Sequence, residues 1–306
     1  MNIQWYPGHM TKTRRLIGEN LKYVDAVCEI LDARIPVSSR NPDLDELAKG
    51  KPRLILLNRV DLADASITQA WSKYFADKGM AVLESNAKSG AGVSRFGGVL
   101  RELLSEKLEK YAEKGMAGRP IKVMICGIPN VGKSTFINKV AGRTAAKAEN
   151  RPGVTRGKQW ISVPGAGVDM MDTPGILWPK FEDKRAGLHL AFTGAVKDDI
   201  LDVETLACFL MEVLSDKYPK ALEARYKIEV SSEMTGLDLL SVAGKKRGFL
   251  ISGGEVDYTR MANVLLDEFR AGTLGRMTLE LPEDMDREPL ESLCLRGNES
   301  MLCEEW

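Results

Sequence analysis

The run Gly127-Ile128-Pro129-Asn130-Val131-Gly132-Lys133-Ser134 constrains this chain more than any other stretch of it. It fits the pattern G-x-x-x-x-G-K-S, which forms a phosphate-binding loop when a strand runs into it and a helix leaves it. Ile121 to Cys126 reads as that buried strand, and a helix is expected after Ser134. The glycines let backbone N–H groups close around phosphate oxygens, Lys133 offsets β/γ-phosphate charge, and the Ser134 hydroxyl suits Mg2+. Asn130, Val131, Gly132, Lys133, Ser134 and Thr135 are therefore the expected phosphate-binding set, with Lys133 an exposed loop charge.

Such a loop belongs to a parallel sheet, and the N-terminal half supplies the strands. Tyr23 to Leu31, Pro52 to Leu57, Met80 to Leu83 and Val168 to Met171 are short apolar runs of the kind buried on both faces. Ala65 to Lys78 and Val93 to Lys114 read as amphipathic helices between them. The alternation argues a doubly wound, mainly parallel α/β domain. Beyond Met171 helical spacing takes over, as in Leu206, Phe209, Leu210, Val213 and Leu214, and again in Met261, Val264, Leu265 and Phe269 before Gly272. The expected organisation is an α/β domain over residues 1–180, a smaller all-α domain over 181–282, and an acidic, disordered tail over 283–306.

Four further stretches carry chemistry. Asp172-Thr173-Pro174-Gly175 follows a strand end; an acid there suits a Mg2+-linked carboxylate, and the Gly175 amide suits a γ-phosphate sensor. Between it and the phosphate loop, Arg151-Pro152-Gly153-Val154-Thr155 offers the Thr155 hydroxyl to complete the Mg2+ shell. Upstream, Asn58-Arg59-Val60-Asp61 resembles the N-K-x-D guanine motif. The Asp61 carboxylate can accept from both N1–H and the N2 amine of guanine, which adenine does not offer. Arg59 stands in the lysine position, with its aliphatic stem and planar head expected to lie over the purine. Glu84-Ser85-Asn86-Ala87-Lys88 follows the next strand like an E-T-S-A-K loop, and the Ala87 amide is expected to face guanine O6, with Asn86 and Lys88 beside it. GTP and GDP are thus the expected ligands, with the base motifs ahead of the phosphate loop. That is a circular permutation of the usual order, which a sheet domain with neighbouring termini tolerates.

With these motifs the sequence resembles the YlqF family of circularly permuted GTPases. The resemblance runs from Ile3 to about Pro282. It includes Gln4-Trp5-Tyr6-Pro7-Gly8-His9-Met10, the stretch Asp32-Ala33-Arg34-Ile35-Pro36 with Ser39-Arg40-Asn41-Pro42, and Asp172 through Lys180. It implies a GTP hydrolase, slow alone and stimulated by its ribosomal partner, that acts in late assembly of the large ribosomal subunit. It also implies contact with ribosomal RNA partly through the helical domain. In this family Asn130 matches an asparagine that ligates K+ beside the phosphates. Ile176 stands where many GTPases hold a water-orienting glutamine, and His9 is the proposed substitute; Lys133, Thr155 and Gly175 complete the implied catalytic set. His189 is expected to be structural.

Composition bounds the partners. The chain has 306 residues with Lys+Arg and Asp+Glu equal at 43, but residues 280–306 hold nine acids against Arg287 and Arg296. The remaining body is correspondingly basic, which permits a polyanion as partner. Lys245-Lys246-Arg247 and the Lys12, Arg14, Arg15 cluster lean the same way. The five cysteines form no CxxC pair, so structural zinc is not expected and the core has no need of a disulfide. No apolar run has membrane-spanning length and no presequence precedes the first motif, so a cytoplasmic protein, monomeric off the ribosome and without membrane or DNA partners, is expected. The alternatives are a GTPase of the small or mitochondrial ribosome, or a signalling switch with a protein partner; a P-loop ATPase is disfavoured by Asn58 and Asp61.

Overall fold

The computed structural model describes residues 14–15, 17–142, 159–173, 175, 183–196, 198 and 201–296. Among these, two compact units separate: one drawn from Trp5–Pro179 and Glu280–Met285, the other from Lys180–Leu279 and Asp286 onward.

The first unit is built on one six-stranded sheet in the order β3-β2-β1-β4-β6-β5. Its strands are β1 (Ala26–Asp32), β2 (Arg53–Asn58), β3 (Ala81–Ser85), β4 (Ile121–Gly127), β5 (Gln159–Val163) and β6 (Val168–Asp172). Neighbours run parallel except β5, which pairs antiparallel with β6. Every residue of β1 is buried, because both faces of the sheet are covered. One face carries Val27, Leu31, Ile55, Leu57, Met124 and Met171, packed by Ile17 and Leu21 at one end and by Trp71 and Phe75 at the other; the opposite face carries Cys28, Ile30, Leu54, Leu56, Val123 and Ile125, also buried. This is the doubly wound α/β architecture that the alternating pattern implied. Strand order reverses between β1 and β4, and in such sheets the ligand crevice opens beyond the carboxyl ends of the strands at the reversal.

Three local features differ from the sequence reading. β1 begins at Ala26 because Tyr23 and Val24 turn back on the preceding helix, their amides bonding Asn20 O and Leu21 O. The expected helix Val93 to Lys114 breaks at Leu104 into Phe96–Leu103 and Ser105–Glu113. The first piece buries Phe96 and Leu100 against the sheet while the second buries nothing, so no common face holds them in line. β5 was legible but unread: Trp160 and Ser162 alternate outward with Ile161 and Val163 inward.

β1 also buries an acid. Glu29 accepts from the Asn41 amide at 2.9 Å and pairs with Arg53, while Asp45 bridges Arg53 and Arg40. Burial pushes the Glu29 carboxyl up, against the lowering charges of Arg40 and Arg53.

The second unit is helical, with Lys184–Phe192, Val203–Lys217, Pro219–Tyr226, Gly236–Lys246 and Tyr258–Ala271. Thr235 and Asp238 form a capping box at one start. A side chain on Gly236 would meet Cys208 O at 2.2 Å, so these two helices meet backbone to backbone. Glu268 accepts from Arg225 Nε (3.0 Å), Tyr226 Oη (2.8 Å) and Arg247 (2.9 Å). His189 is buried beside Phe192 in the first helix.

The acidic tail does not begin at 283. Glu280 is fully buried in the α/β unit, where its carboxylate accepts from the Val37 amide (2.6 Å), the Ser38 amide (3.0 Å) and the Ser38 hydroxyl. Its backbone oxygen accepts from Trp71 Nε1 at 2.9 Å, and Met285 packs on the Trp71 cluster. Beyond it Arg287 pairs with Asp183, and Arg296 with Asp216, inside the helical unit. The chain from 280 to 296 is thus tied to both units through Glu280, Arg287 and Arg296, and of this stretch only residues 297–306 lie outside the described residues. Cys28, Cys126 and Cys208 are free and buried, whereas Cys294 is disulfide-bonded, a bond the sequence did not lead us to expect.

Candidate functional site

The phosphate loop leaves β4 at Gly127, where a Cβ would lie 2.9 Å from Ile30 O of the neighbouring β1. Asn130 and Gly132 both take left-handed backbone conformations (φ 57° and 97°), folding the loop back before the helix Lys133–Ala141 begins. Asn tolerates that region better than most residues, and glycine tolerates it freely. Ser134 and Thr135 occupy the first turn of this helix.

Lys133 is buried, with 9% of its surface exposed, contrary to the expected exposed charge. It shares the site with Asp172 at the end of β6. Burial lowers the Lys133 pKa and raises that of Asp172, and each charge works against the other's shift. Asp172 is held at the strand end by its pairing with Ile125 and by Thr173, whose Oγ1 donates to Ile125 O at 2.7 Å. One of its oxygens, Oδ1, is buried without a hydrogen-bond partner. A carboxylate oxygen in that situation suits a cation brought with a ligand, and Ser134, in the first turn of the neighbouring helix, adds a hydroxyl donor. The residues present therefore fit Mg2+. Gly175 is close to the loop: a Cβ there would lie 3.0 Å from Pro129 Cα and N.

The base motif is fastened to the phosphate loop by side chains. Asn58, buried at the end of β2, donates through Nδ2 to Val131 O at 2.8 Å. Its Oδ1 accepts from the Ala87 amide (3.0 Å) and Ser85 Oγ (3.2 Å). The Ala87 amide is therefore engaged with Asn58 rather than held open for guanine O6, so the loop's alignment depends on Asn58. Asn86 likewise turns inward on its own loop: its Oδ1 accepts from the Lys88 and Ser89 amides, both at 3.0 Å, and Lys88 is exposed. Arg59 has φ 62°, donates to Asn130 O and stands 3.5 Å from Asp32 Oδ2. Its head group is thus committed to the phosphate loop, leaving its stem for the purine. Asp61 is half-buried in the turn after β2, which the Leu62 amide closes by bonding Arg59 O.

Asp32 is the site residue that sequence reasoning missed. It ends β1, is buried, and is gripped by Arg34 through Nε (3.0 Å) and a terminal nitrogen (2.8 Å). Burial alone would raise its pKa, but Arg34 and Arg59 outweigh burial and hold it below the usual carboxylate value. The string Asp32-Ala33-Arg34 at a strand end, beside a base motif with arginine in place of lysine, was the available signal.

One end of one sheet therefore gathers Asn58, Arg59, Asp61, the 84–88 loop, the phosphate loop, Asp172 and Gly175, despite their permuted order. His9 and Thr155 lie outside the described residues, and among the described residues no group of His, Cys, Asp and Glu forms a separate metal cluster.

The comparisons agree with this arrangement. A family model described as 50S ribosome-binding GTPase matches residues 122–233. Ribosome biogenesis GTPase A of Bacillus cereus is 46% identical over 285 residues, covering 93% of this chain and 95% of that one. A GDP-bound structure of TM YlqF matches with a TM-score of 0.64 at 28% identity, over 88% of this chain and 100% of that one. A GNP-bound YlqF from T. maritima matches with a TM-score of 0.60 at 28% identity, over 89% and 99%.

Proposed function

The chain belongs to the ribosome biogenesis GTPase A (YlqF) family, and on that premise we propose that its GTP cycle serves late assembly of the large ribosomal subunit, with ribosomal RNA among its contacts. The chain is a GTP hydrolase. The observation that carries the reading is the Asn58 Nδ2 to Val131 O hydrogen bond, which ties base recognition to phosphate binding across the permuted chain. Asp61 reads the guanine N1–H and N2 amine, and the Arg59 stem covers the ring. The loop amides and Lys133 take the phosphates, and Gly175 senses the γ-phosphate. Ser134 and Asp172, with Thr155, would hold Mg2+, which would supply charge neutralisation for the phosphates. Asn130 would hold K+, which would supply positive charge of the kind an arginine finger gives, and His9 would orient the attacking water when the subunit is bound.

Hydrolysis switches the segment after Gly175, which leads along the chain into the helical residues. We place the protein in the cytoplasm, monomeric away from the ribosome; among the described residues no helix is long and apolar enough to cross a membrane. Sedimentation with purified subunits in GDP and in a non-hydrolysable GTP analogue tests the reading. Enrichment on the large subunit with the analogue is expected. Absence from ribosomal particles in both states would favour a signalling switch instead.

A further inference from the structure

The amino end of the central strands, opposite the nucleotide, starts a second cluster that the GTPase chemistry does not use. Asp25, just before β1, is buried; Lys107 at 2.8 Å and Arg119 at 4.0 Å bring cations to its carboxylate, which also accepts from the Lys122 backbone amide at 2.9 Å. Tyr111 Oη donates to the same carboxylate at 3.1 Å. Lys107 and Arg119 lie 5.7 and 4.9 Å from the Tyr111 ring centroid. Lys122 reaches the ring of Trp160 at 5.4 Å, and Lys22 that of Tyr23 at 5.1 Å. Trp160 and Tyr23 are 41% and 50% exposed.

We propose that this surface, Tyr23, Tyr111 and Trp160 interleaved with Lys22, Lys107, Arg119 and Lys122, is a docking face for unpaired RNA bases. One buried carboxylate gathers more positive charge than it neutralises. Lys51, which donates to Val24 O beside the cluster, has its pKa lowered by burial and then by the charge of Lys107, as expected of crowded cations. Excess positive charge alone fits any polyanion. The aromatic rings narrow the class, because exposed rings flanked by cations offer stacking to a base and neutralisation to its phosphate together. An acidic protein segment would use the charge and leave the rings without a role.

Asp25, Lys107, Tyr111 and Arg119 sit by the amino ends of β1 and β4, whose carboxyl ends carry the nucleotide site, roughly 20 Å away at about 3.3 Å per residue. Trp160 pairs in register with Met171, toward the carboxyl end of β6, so the surface extends from the Asp25 end toward the nucleotide end. The proposal rests on the ribosomal reading for which RNA is met, but not for the surface itself.

Fluorescence anisotropy with a short mixed-sequence single-stranded RNA tests it in the full chain. Trp160→Ala and Tyr23→Ala should each weaken binding roughly 5- to 150-fold, as loss of one stacked base does. Trp160→Phe should retain most of the affinity. Lys122→Ala should lower the slope of log affinity against log salt by about one. Basal GTP turnover should stay unchanged in all four, which also reports that they fold. Affinity insensitive to the rings would overturn the proposal, and so would binding of an acidic peptide that RNA fails to displace. If the wild type binds this RNA through its rings yet ignores ribosomal subunits, the ribosomal reading falls and this surface stands; the reverse pattern retires the surface alone.

Discussion

A methyl group placed on Gly132 would lie 2.4 Å from Asn58 Nδ2. The second glycine of the phosphate loop is thus required by a residue of the base motif, seventy-odd positions upstream, as well as by its own φ of 97°. Gly132→Ala should drive Asn58 from its hydrogen bond to Val131. We expect at least a tenfold loss of GTP affinity and a lowered melting temperature, read by fluorescent-nucleotide titration and thermal unfolding. Affinity equal to wild type would show that the loop relaxes without Asn58.

Guanine selection is expected to reside in Asp61. Asp61→Asn should lose GTP and gain xanthosine triphosphate, whose O2 accepts from the new amide. Competition binding with the two nucleotides checks this, and unchanged GTP preference would reduce Asp61 to a turn residue.

Lys133→Ala should abolish measurable hydrolysis and, because the buried Lys133 charge favours the ionised form of Asp172, also destabilise the nucleotide-free protein. Adding Asp172→Asn should restore most of the stability and none of the turnover. Denaturant unfolding of the single and double variants separates the two effects; a double variant no more stable than the single one would contradict the pairing.

Replacing K+ by Na+ at constant ionic strength should slow hydrolysis if Asn130 ligates the ion, and Asn130→Ala should remove the difference. Steady-state phosphate release in the two salts is sufficient, with equal wild-type rates counting against the site.

In the helical unit, burial tends to raise the Glu268 pKa, but hydrogen bonds from Arg225 and Tyr226 and the charges of Arg225 and Arg247 hold it below 4.5. A depressed carboxylate contributes stability that is present above its unfolded value of 4.5 and lost as pH falls through the lower folded value. Glu268→Gln should therefore destabilise the protein at pH 7, and the gap to wild type should narrow below pH 4.5. Thermal melts across that range check the sign.

The α/β half was legible because each strand is a short apolar run closed by a recognisable loop, and because phosphate loops tolerate few sequences. What escaped reading depended on contacts distant in sequence. Asp32 and Arg59 meet only once β1 and β2 pair, and the burial of Lys133 is set by the folded sheet around the loop rather than by its own neighbours in sequence. Glu280 was read with the helical domain because its partners, Val37 and Ser38, lie more than two hundred residues upstream. β5 was missed for a weaker reason: a short edge strand alternates its apolar residues, and alternation over so few positions is a faint signal.

Glu280 returns the chain to the unit whose long run ends at Pro179, so residues 180–279 of the helical unit are an insertion anchored at both ends. While the α/β unit stays folded, the stretch between those anchors can unfold only as a closed loop. Closing a loop of about a hundred residues removes entropy worth on the order of 4 kcal/mol from the unfolded segment. GTP, by keeping the α/β unit folded, thereby stabilises the stretch between the anchors, and a fragment cut at residue 180 forfeits both the anchor and this protection.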